Sequence, residues 1–105
     1  MKFLMKVRFP NEIGNERLRD PQFGSKMQEV LKEVKAEATY FTTINGSRGF
    51  YAVVNMTDAS QMPAIAEPFF VWLQAEIDFL PVMTIEDLGK ATNAIEAAFK
   101  KWGPK

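Results

Sequence analysis

The chain has 105 residues, of which 47% are apolar and 25% are charged, and its thirteen Lys and Arg balance thirteen Asp and Glu, so the formal net charge is zero. It contains no cysteine and no histidine. These counts exclude disulfide scaffolds, thiolate and iron–sulfur sites, histidine-ligated metals and haem, and nucleophilic sites that need Cys or His.

The first third of the chain predicts a strand followed by a helix. Alternating apolar and charged residues over Lys2–Phe9 are typical of a strand. Residues 11–23 combine helix formers with a glycine and a proline, which favours a loop or a short helical turn. Ser25 with Gln28 forms a capping-box pattern. An apolar residue at every third or fourth position then predicts a helix over Lys26–Lys35.

The middle of the chain predicts a β-hairpin. Thr and aromatic residues over Glu37–Ile44 favour a strand. Asn45-Gly46 follows, the strongest short hairpin signal, because both residues accept the positive φ of a type I′ turn. The return strand is predicted over Phe50–Met56, and Ser47–Gly49 leave a longer loop open as an alternative.

The next segment predicts a helix and a fourth strand. Asp58 begins a second capping-box pattern, and an apolar stripe predicts a helix over Ala59–Leu73. Pro68 is expected to kink or break it, because proline cannot donate to the helical ladder. Alternation over Ala75–Met83 predicts a strand, and Pro81 places it at a sheet edge or marks its end.

A last helix is predicted after Thr84, which forms a capping-box pattern with Asp87. Apolar or small residues step through it by three and four, and Gly103-Pro104 ends it. Such a seam is typical of a helix that packs on another element; its members are Ile85, Leu88, Thr92, Ile95, Phe99 and Trp102.

The order β-α-β-β-α-β with a C-terminal helix predicts an α+β fold, a ferredoxin-like antiparallel sheet with strand order 4-1-3-2, in a single domain over residues 1–105. One sheet face is expected to pack under the helices: Phe3, Met5, Val7, Phe50, Ala52, Val54, Ile77 and Phe79. The second face mixes apolar residues with charges of both signs: Leu4, Lys6, Arg8, Phe41, Tyr51, Val53, Asn55, Glu76, Asp78 and Leu80. Such a face is suited to a second sheet or to a pocket.

The element order and the phrases Glu37-Ala-Thr-Tyr40-Phe41, Gly46-Ser-Arg48-Gly49 and Pro81-Val-Met-Thr-Ile-Glu-Asp87-Leu resemble the dimeric α+β-barrel superfamily. Within it, the chain is most similar to uncharacterised bacterial families of similar length. The resemblance implies a homodimer whose two sheets face each other. It implies no single chemistry, since relatives include quinol monooxygenases, muconolactone isomerase, haem-degrading enzymes and ligand-binding regulatory domains. The absence of histidine separates this chain from the haem-binding branches, so no cofactor and no metal are expected.

Charged residues form the first candidate site. In the predicted strand order, Lys6 and Arg8 lie near Glu76 or Asp78. They are candidates for binding an anionic ligand or, for the carboxylates, for accepting a proton. The alternative interpretation is a set of salt bridges between neighbouring strands or across the dimer.

Aromatic and polar residues form the other candidates. A flat ring could be held by Tyr40, Phe41, Tyr51 and Trp72, with Asn55 on the second face, or these aromatics could be ordinary packing. Which of the two tyrosines points to a cavity depends on strand register. Arg48, at the hairpin tip, is a candidate anion ligand or a solvated cation.

Three functions therefore compete. The first is a homodimer that binds a small aromatic or anionic ligand in a cavity between sheet and helices. The second is a cofactor-independent monooxygenase or isomerase, with Asp78, Glu76 or Tyr51 as proton acceptor and Arg8 as anion anchor. The third is a structural role in which the C-terminal helix docks a partner. Nucleic acid and membrane are not expected as partners, and without a signal-peptide pattern the expected compartment is the cytoplasm.

Overall fold

A four-stranded antiparallel sheet forms the body of the protein, in a computed structural model that describes residues 1–105. Its strands are β1 (Lys2–Arg8), β2 (Ala38–Ile44), β3 (Ser47–Asn55) and β4 (Glu76–Pro81). Their order is β2-β3-β1-β4, which confirms the predicted ferredoxin-like α+β arrangement. The helices are α1 (Asn11–Arg17), α2 (Phe23–Glu33), α3 (Met62–Leu73), α4 (Ile85–Lys90) and α5 (Thr92–Trp102), with a short 3₁₀ turn over Ala59–Gln61 before α3.

The first helices differ from the prediction. Residues 11–17 form the seven-residue helix α1 where a loop or a short helical turn was expected, because Ile13 buries its side chain against the body. Helix α2 begins at Phe23, and the predicted Ser25 cap is wrong. Ser25 lies within the first turn, where its hydroxyl donates 2.9 Å to the carbonyl oxygen of Gln22.

The hairpin between β2 and β3 has the two-residue turn. Asn45 and Gly46 have φ angles of 49° and 78°, the left-handed values that a type I′ turn requires. Ile44 pairs directly with Ser47, so β3 begins at Ser47 and the alternative longer loop does not form. The turn therefore sets the register of both strands.

The core lies between one sheet face and helices α2 and α3. The predicted face is confirmed: Met5, Val7, Phe50, Ala52 and Val54 are completely buried, and Phe3, Ile77 and Phe79 pack around them. The ring of Phe50 meets that of Phe69 edge-on at 5.4 Å. Helix α3 continues through Pro68 without a break, because its buried face stays anchored in this core: Ile65, Ala66, Phe69 and Leu73.

The C-terminal segment departs most from expectation. The capping box of Thr84 and Asp87 is confirmed. The single predicted helix, however, is two helices joined at Ala91, whose φ and ψ are −90° and 0°. Gly89 weakens the helix before this joint, and the hydroxyl of Thr92 donates to the carbonyl oxygen of Gly89 at 2.8 Å. We call residues 85–102, which comprise α4 and α5, the arm.

The arm projects away from the body. Every residue of α4 and α5 is exposed. The radius of gyration is 17.8 Å and the longest dimension is 61 Å, whereas a compact chain of this length has a radius near 13 Å. No helix is both long and apolar enough to cross a membrane.

Candidate functional site

The sheet face turned away from the core helices is open to solvent. Side chains alternate along a strand, so residues that pair across strands share a face. The register places on this face Lys2, Leu4, Lys6, Arg8, Tyr40, Tyr51, Val53, Asn55, Glu76, Asp78 and Leu80, which we call the open face. Tyr40 is 70% exposed and Leu80 is 57% exposed, so the body leaves apolar surface uncovered here.

Four residues form a line across all four strands at the middle of the open face. Tyr40 pairs with Tyr51, Tyr51 pairs with Lys6, and Lys6 pairs with Asp78. The sequence left undecided which tyrosine lies on this face, and the register places both there. The line therefore carries two phenols, one ammonium and one carboxylate.

Lys6 has no carboxylate partner. The ion pairs within 4 Å are Lys2–Glu37, Arg8–Glu76, Glu16–Arg17 and Asp20–Lys26, so Lys6 and Asp78 face each other without pairing. Lys6 lies beside Tyr51 and Leu80 in a depression of about 540 Å³, which Leu4, Asp78 and Phe79 also line. This arrangement can hold an anion on the ammonium, and the carboxylate of Asp78 can accept a hydrogen bond from a hydroxyl group.

The side chain of Arg8 is held by hydrogen bonds within the sheet. Its guanidinium donates to the carbonyl oxygen of Ile44 at 3.1 Å, to the hydroxyl of Ser47 at 2.9 Å and to the carboxylate of Glu76 at 3.1 Å. The predicted Arg8–Glu76 proximity is confirmed. Three bonds to β2, β3 and β4 leave this guanidinium little capacity for a ligand.

Asn55 lies at the opposite end of the sheet, in a polar cluster of its own. Its amide donates to the carboxylate of Glu37 at 2.6 Å, and Lys2 donates to the same carboxylate at 2.7 Å. The hydrogen bond from Lys2, followed by that from Asn55, lowers the pKa of Glu37 below its ordinary value. This cluster was not predicted from the sequence, although the predicted strand order contained the signal, because β1 and β2 both flank β3.

Three predicted site residues lie away from the open face. Phe41 pairs with Phe50, and their rings are 5.3 Å apart, so Phe41 belongs to the helix-covered face; its expected place on the second face was wrong by one residue of register. Trp72 stacks on Phe23 at 5.2 Å in the helix layer. Arg48 donates to the carbonyl oxygen of Asn11 at 3.2 Å and thus ties β3 to the start of α1.

The structure therefore brings together Lys6, Tyr40, Tyr51 and Asp78, and it ties Arg8, Glu76 and Asn55 into structural contacts at the sheet ends. No cluster of three or more His, Cys, Asp or Glu side chains is arranged to hold a metal ion.

A family model described as "Domain of unknown function (DUF3303)" matches residues 1–96. The chain belongs to this family. The match covers the whole body and the arm as far as Glu96. No curated protein matches the chain. The family match therefore covers the residues that form the sheet and the helices around it. The family description assigns no function to the open face.

Proposed function

We propose that this DUF3303 protein is a binding domain for a small aromatic anion, which it holds at Lys6 on the open face. The observation that carries the proposal is Lys6, a half-buried residue between Tyr51 and Asp78 whose ammonium forms no ion pair. A cation that has lost part of its hydration and has no counter-ion can be compensated by a bound anion, through a charge-assisted hydrogen bond.

The surroundings of Lys6 favour a flat ligand. Tyr51 presents a phenol on one side, Tyr40 extends that surface, and Leu4 and Leu80 supply apolar contact. The depression of about 540 Å³ lies within the size range of small-molecule sites. The cavity expected between sheet and helices is thereby replaced by a site on the outer face of the sheet, since the inner face is filled by the core.

Asp78 narrows the ligand class further. Its carboxylate stands opposite Lys6 and repels a polyanion. A ligand with one carboxylate and one hydroxyl satisfies both groups, because the carboxylate meets Lys6 and the hydroxyl donates to Asp78. A hydroxylated aromatic acid has this combination.

A homodimer would complete the site. A second open face laid against the first would cover Tyr40 and Leu80, which are exposed in the single chain. Covering them removes apolar surface from water and strengthens the attraction of Lys6 for an anion by excluding solvent. The proposal accordingly includes a two-fold assembly in which two sheets enclose the ligand.

Titration with 6-hydroxy-2-naphthoate, followed by its fluorescence, tests the proposal. We expect saturable binding to the wild-type protein, and a loss of roughly tenfold or more in affinity for Lys6→Met. Lys2→Met is the matched control, because Lys2 lies on the same strand and face but is already paired with Glu37. 2-Naphthol, which lacks the carboxylate, is expected to bind weakly to all three proteins.

Two results would overturn the proposal. One is the absence of naphthoate binding to the wild-type protein at millimolar concentration. The other is equal affinity of the wild-type protein and Lys6→Met, which would place the ligand away from this ammonium.

A further inference from the structure

The arm carries an apolar seam that nothing in the single chain covers. Phe99 is 65% exposed and Trp102 is 78% exposed, and Ile85, Leu88 and Ile95 are exposed as well. Short helices are marginally stable in water unless an apolar face packs against something. The arm therefore needs an occupant for this seam.

The seam stays on one side of the arm across the joint at Ala91. A single groove of about 380 Å³ is lined from both helices, by Ile85, Leu88, Gly89, Thr92, Ile95 and Glu96. The apolar side of α4 therefore continues into that of α5. A partner must offer bulky apolar side chains at matching intervals along the groove.

The arm itself has that pattern when its direction is reversed. We propose that the arm pairs antiparallel with the arm of a second copy of this chain, about a two-fold axis between Asn93 and Ala94. In that register Ile85 meets the partner's Trp102, Leu88 meets the partner's Phe99, and Thr92 meets the partner's Ile95. Each seam residue then faces another seam residue of the partner. The rings of Phe99 and Trp102 enter the groove of the facing α4.

Steric features favour the same register. Gly89 lines the groove beside Leu88, and an added Cβ there would meet no atom within 4 Å. The space is therefore free for the ring of the partner's Phe99. Ala91 and Ala98 flank the seam and allow the two helices to approach closely.

Charge favours the antiparallel direction over the parallel one. Glu86 and Asp87 lie in the first turn of the arm, and Lys100 and Lys101 lie in its last turn. Parallel pairing would bring like charges together at each end. Antiparallel pairing brings the acidic turn of one arm near the basic turn of the other, and it also opposes the two helix dipoles.

The buried area fits a dimer. Five large apolar side chains expose roughly 500 Å² on each arm, so two arms contribute about 1,000 Å². That value is near the lower limit of specific protein interfaces. The arm interface is separate from the pairing of open faces in the proposed function. Leu88 belongs to the arm alone, so the effect of Leu88→Asp on the dimer Kd reports the arm whether or not the open faces also pair.

Sedimentation equilibrium of the whole chain tests the pairing. We expect a wild-type dimer, and an increase of roughly a hundredfold or more in the dimer Kd for Leu88→Asp, since each dimer loses two buried leucines. Ala97→Asp is the matched control, because it adds the same charge on the side of the helix away from the seam. Both sites are exposed, so neither substitution disturbs the core.

Cysteine cross-linking tests direction and register, because the chain has no cysteine of its own. Under mild oxidation, Leu88→Cys/Phe99→Cys is expected to give a disulfide-linked dimer. Residues 88 and 99 of one arm are about 16 Å apart along a helix and cannot bridge within the chain. Leu88→Cys alone is expected to remain unlinked, whereas parallel pairing would link it.

Three results would overturn the inference: a wild-type monomer at 100 µM, equal dimer Kd values for Leu88→Asp and Ala97→Asp, or efficient linking of Leu88→Cys alone.

Phosphatidylcholine–phosphatidylglycerol vesicles test a membrane surface as the rival occupant. Binding of a monomeric wild-type protein to such vesicles, lost in Leu88→Asp, would assign the seam to lipid instead.

Discussion

Lys6 lies directly opposite Asp78 on neighbouring antiparallel strands, but their side chains form no ion pair. Two residues further along the same strands, Arg8 and Glu76 do pair, at 3.1 Å. The planar guanidinium of Arg8 reaches three acceptors at once, whereas Lys6 donates no hydrogen bond to a carboxylate. Arg8 is thus held within the fold, whereas the ammonium of Lys6 is free to contact a ligand.

The first prediction is that Lys6→Met leaves stability almost unchanged. The substitution removes a cation that has no ion pair, and methionine keeps an unbranched apolar side chain in the depression that Leu4 and Leu80 also line. The free energy of unfolding is expected to stay within about 0.5 kcal/mol of the wild-type value in urea titrations. A loss of more than 1 kcal/mol, on the order of a core substitution, would give Lys6 a structural role.

The second prediction separates the two members of the Arg8–Glu76 pair. Arg8→Ala is expected to cost about 2 kcal/mol, because it removes bonds to Ile44 and Ser47 in part-buried surroundings. Glu76→Ala is expected to cost less than about 0.5 kcal/mol, since the side chain of Glu76 is 76% exposed. Urea unfolding of both variants measures the difference, and equal losses would show that the salt bridge itself carries the energy.

The fold was largely predictable because its signals are local. Alternation over β1, the Asn45-Gly46 turn and the Asp58 and Thr84 capping boxes each depend on neighbouring residues, and all were confirmed. The start of α2 was not predictable in this way. Its first turn is held by the packing of Phe23 on Trp72, a contact between residues far apart in sequence.

The candidate site was predicted in part, and register explains the remainder. Lys6, Tyr51 and Asp78 were placed on one face by alternation within their own strands, and the structure has them there. Phe41 was misplaced because composition does not show which residues of β2 point outward. The side is set by pairing from the Asn45-Gly46 turn, and a shift of one residue exchanges the faces.

The third prediction concerns Gly49, where β3 passes close to its neighbours. A Cβ at this position would lie 2.6 Å from the Cδ1 atom of Ile44 and 2.6 Å from the carbonyl oxygen of Val7. Because one of these atoms is backbone, Gly49→Ala is expected to lower the free energy of unfolding by about 2 kcal/mol or more. Guanidinium unfolding monitored by circular dichroism measures the loss.

Gly24→Ala is the control for that substitution. An added Cβ at Gly24, in the first turn of α2, meets nothing within 4 Å. The alanine is expected to stabilise the protein by up to about 1 kcal/mol, because it favours the helix and restricts the unfolded chain. A comparable loss at both glycines would mean that the close approach at Gly49 is not the cause.

The fourth prediction is an acid-dependent contribution from Glu37. The hydrogen bonds from Lys2 and Asn55 lower the pKa of this carboxyl below its ordinary value of 4.5. A carboxyl whose pKa is depressed by folding contributes stability that is fully present above its unfolded value and is lost as the pH falls through the folded value. Glu37→Gln is therefore expected to lower the Tm at pH 7, and the difference from wild type is expected to shrink below pH 4.5.

Thermal unfolding of wild type and Glu37→Gln between pH 7 and about pH 2.5 measures that difference, since protonation of the carboxyl is complete only well below its pKa. Glu29→Gln is the control, because Glu29 is an exposed carboxylate on α2 without an ion pair. Asp20, Asp58 and Asp87 also have pKa values lowered by hydrogen bonds, so the wild-type protein loses stability in acid for several reasons. Only the Tm difference between wild type and Glu37→Gln isolates the cluster of Lys2, Glu37 and Asn55. A Tm difference that stays constant with pH would show that the charge of Glu37 contributes nothing to stability.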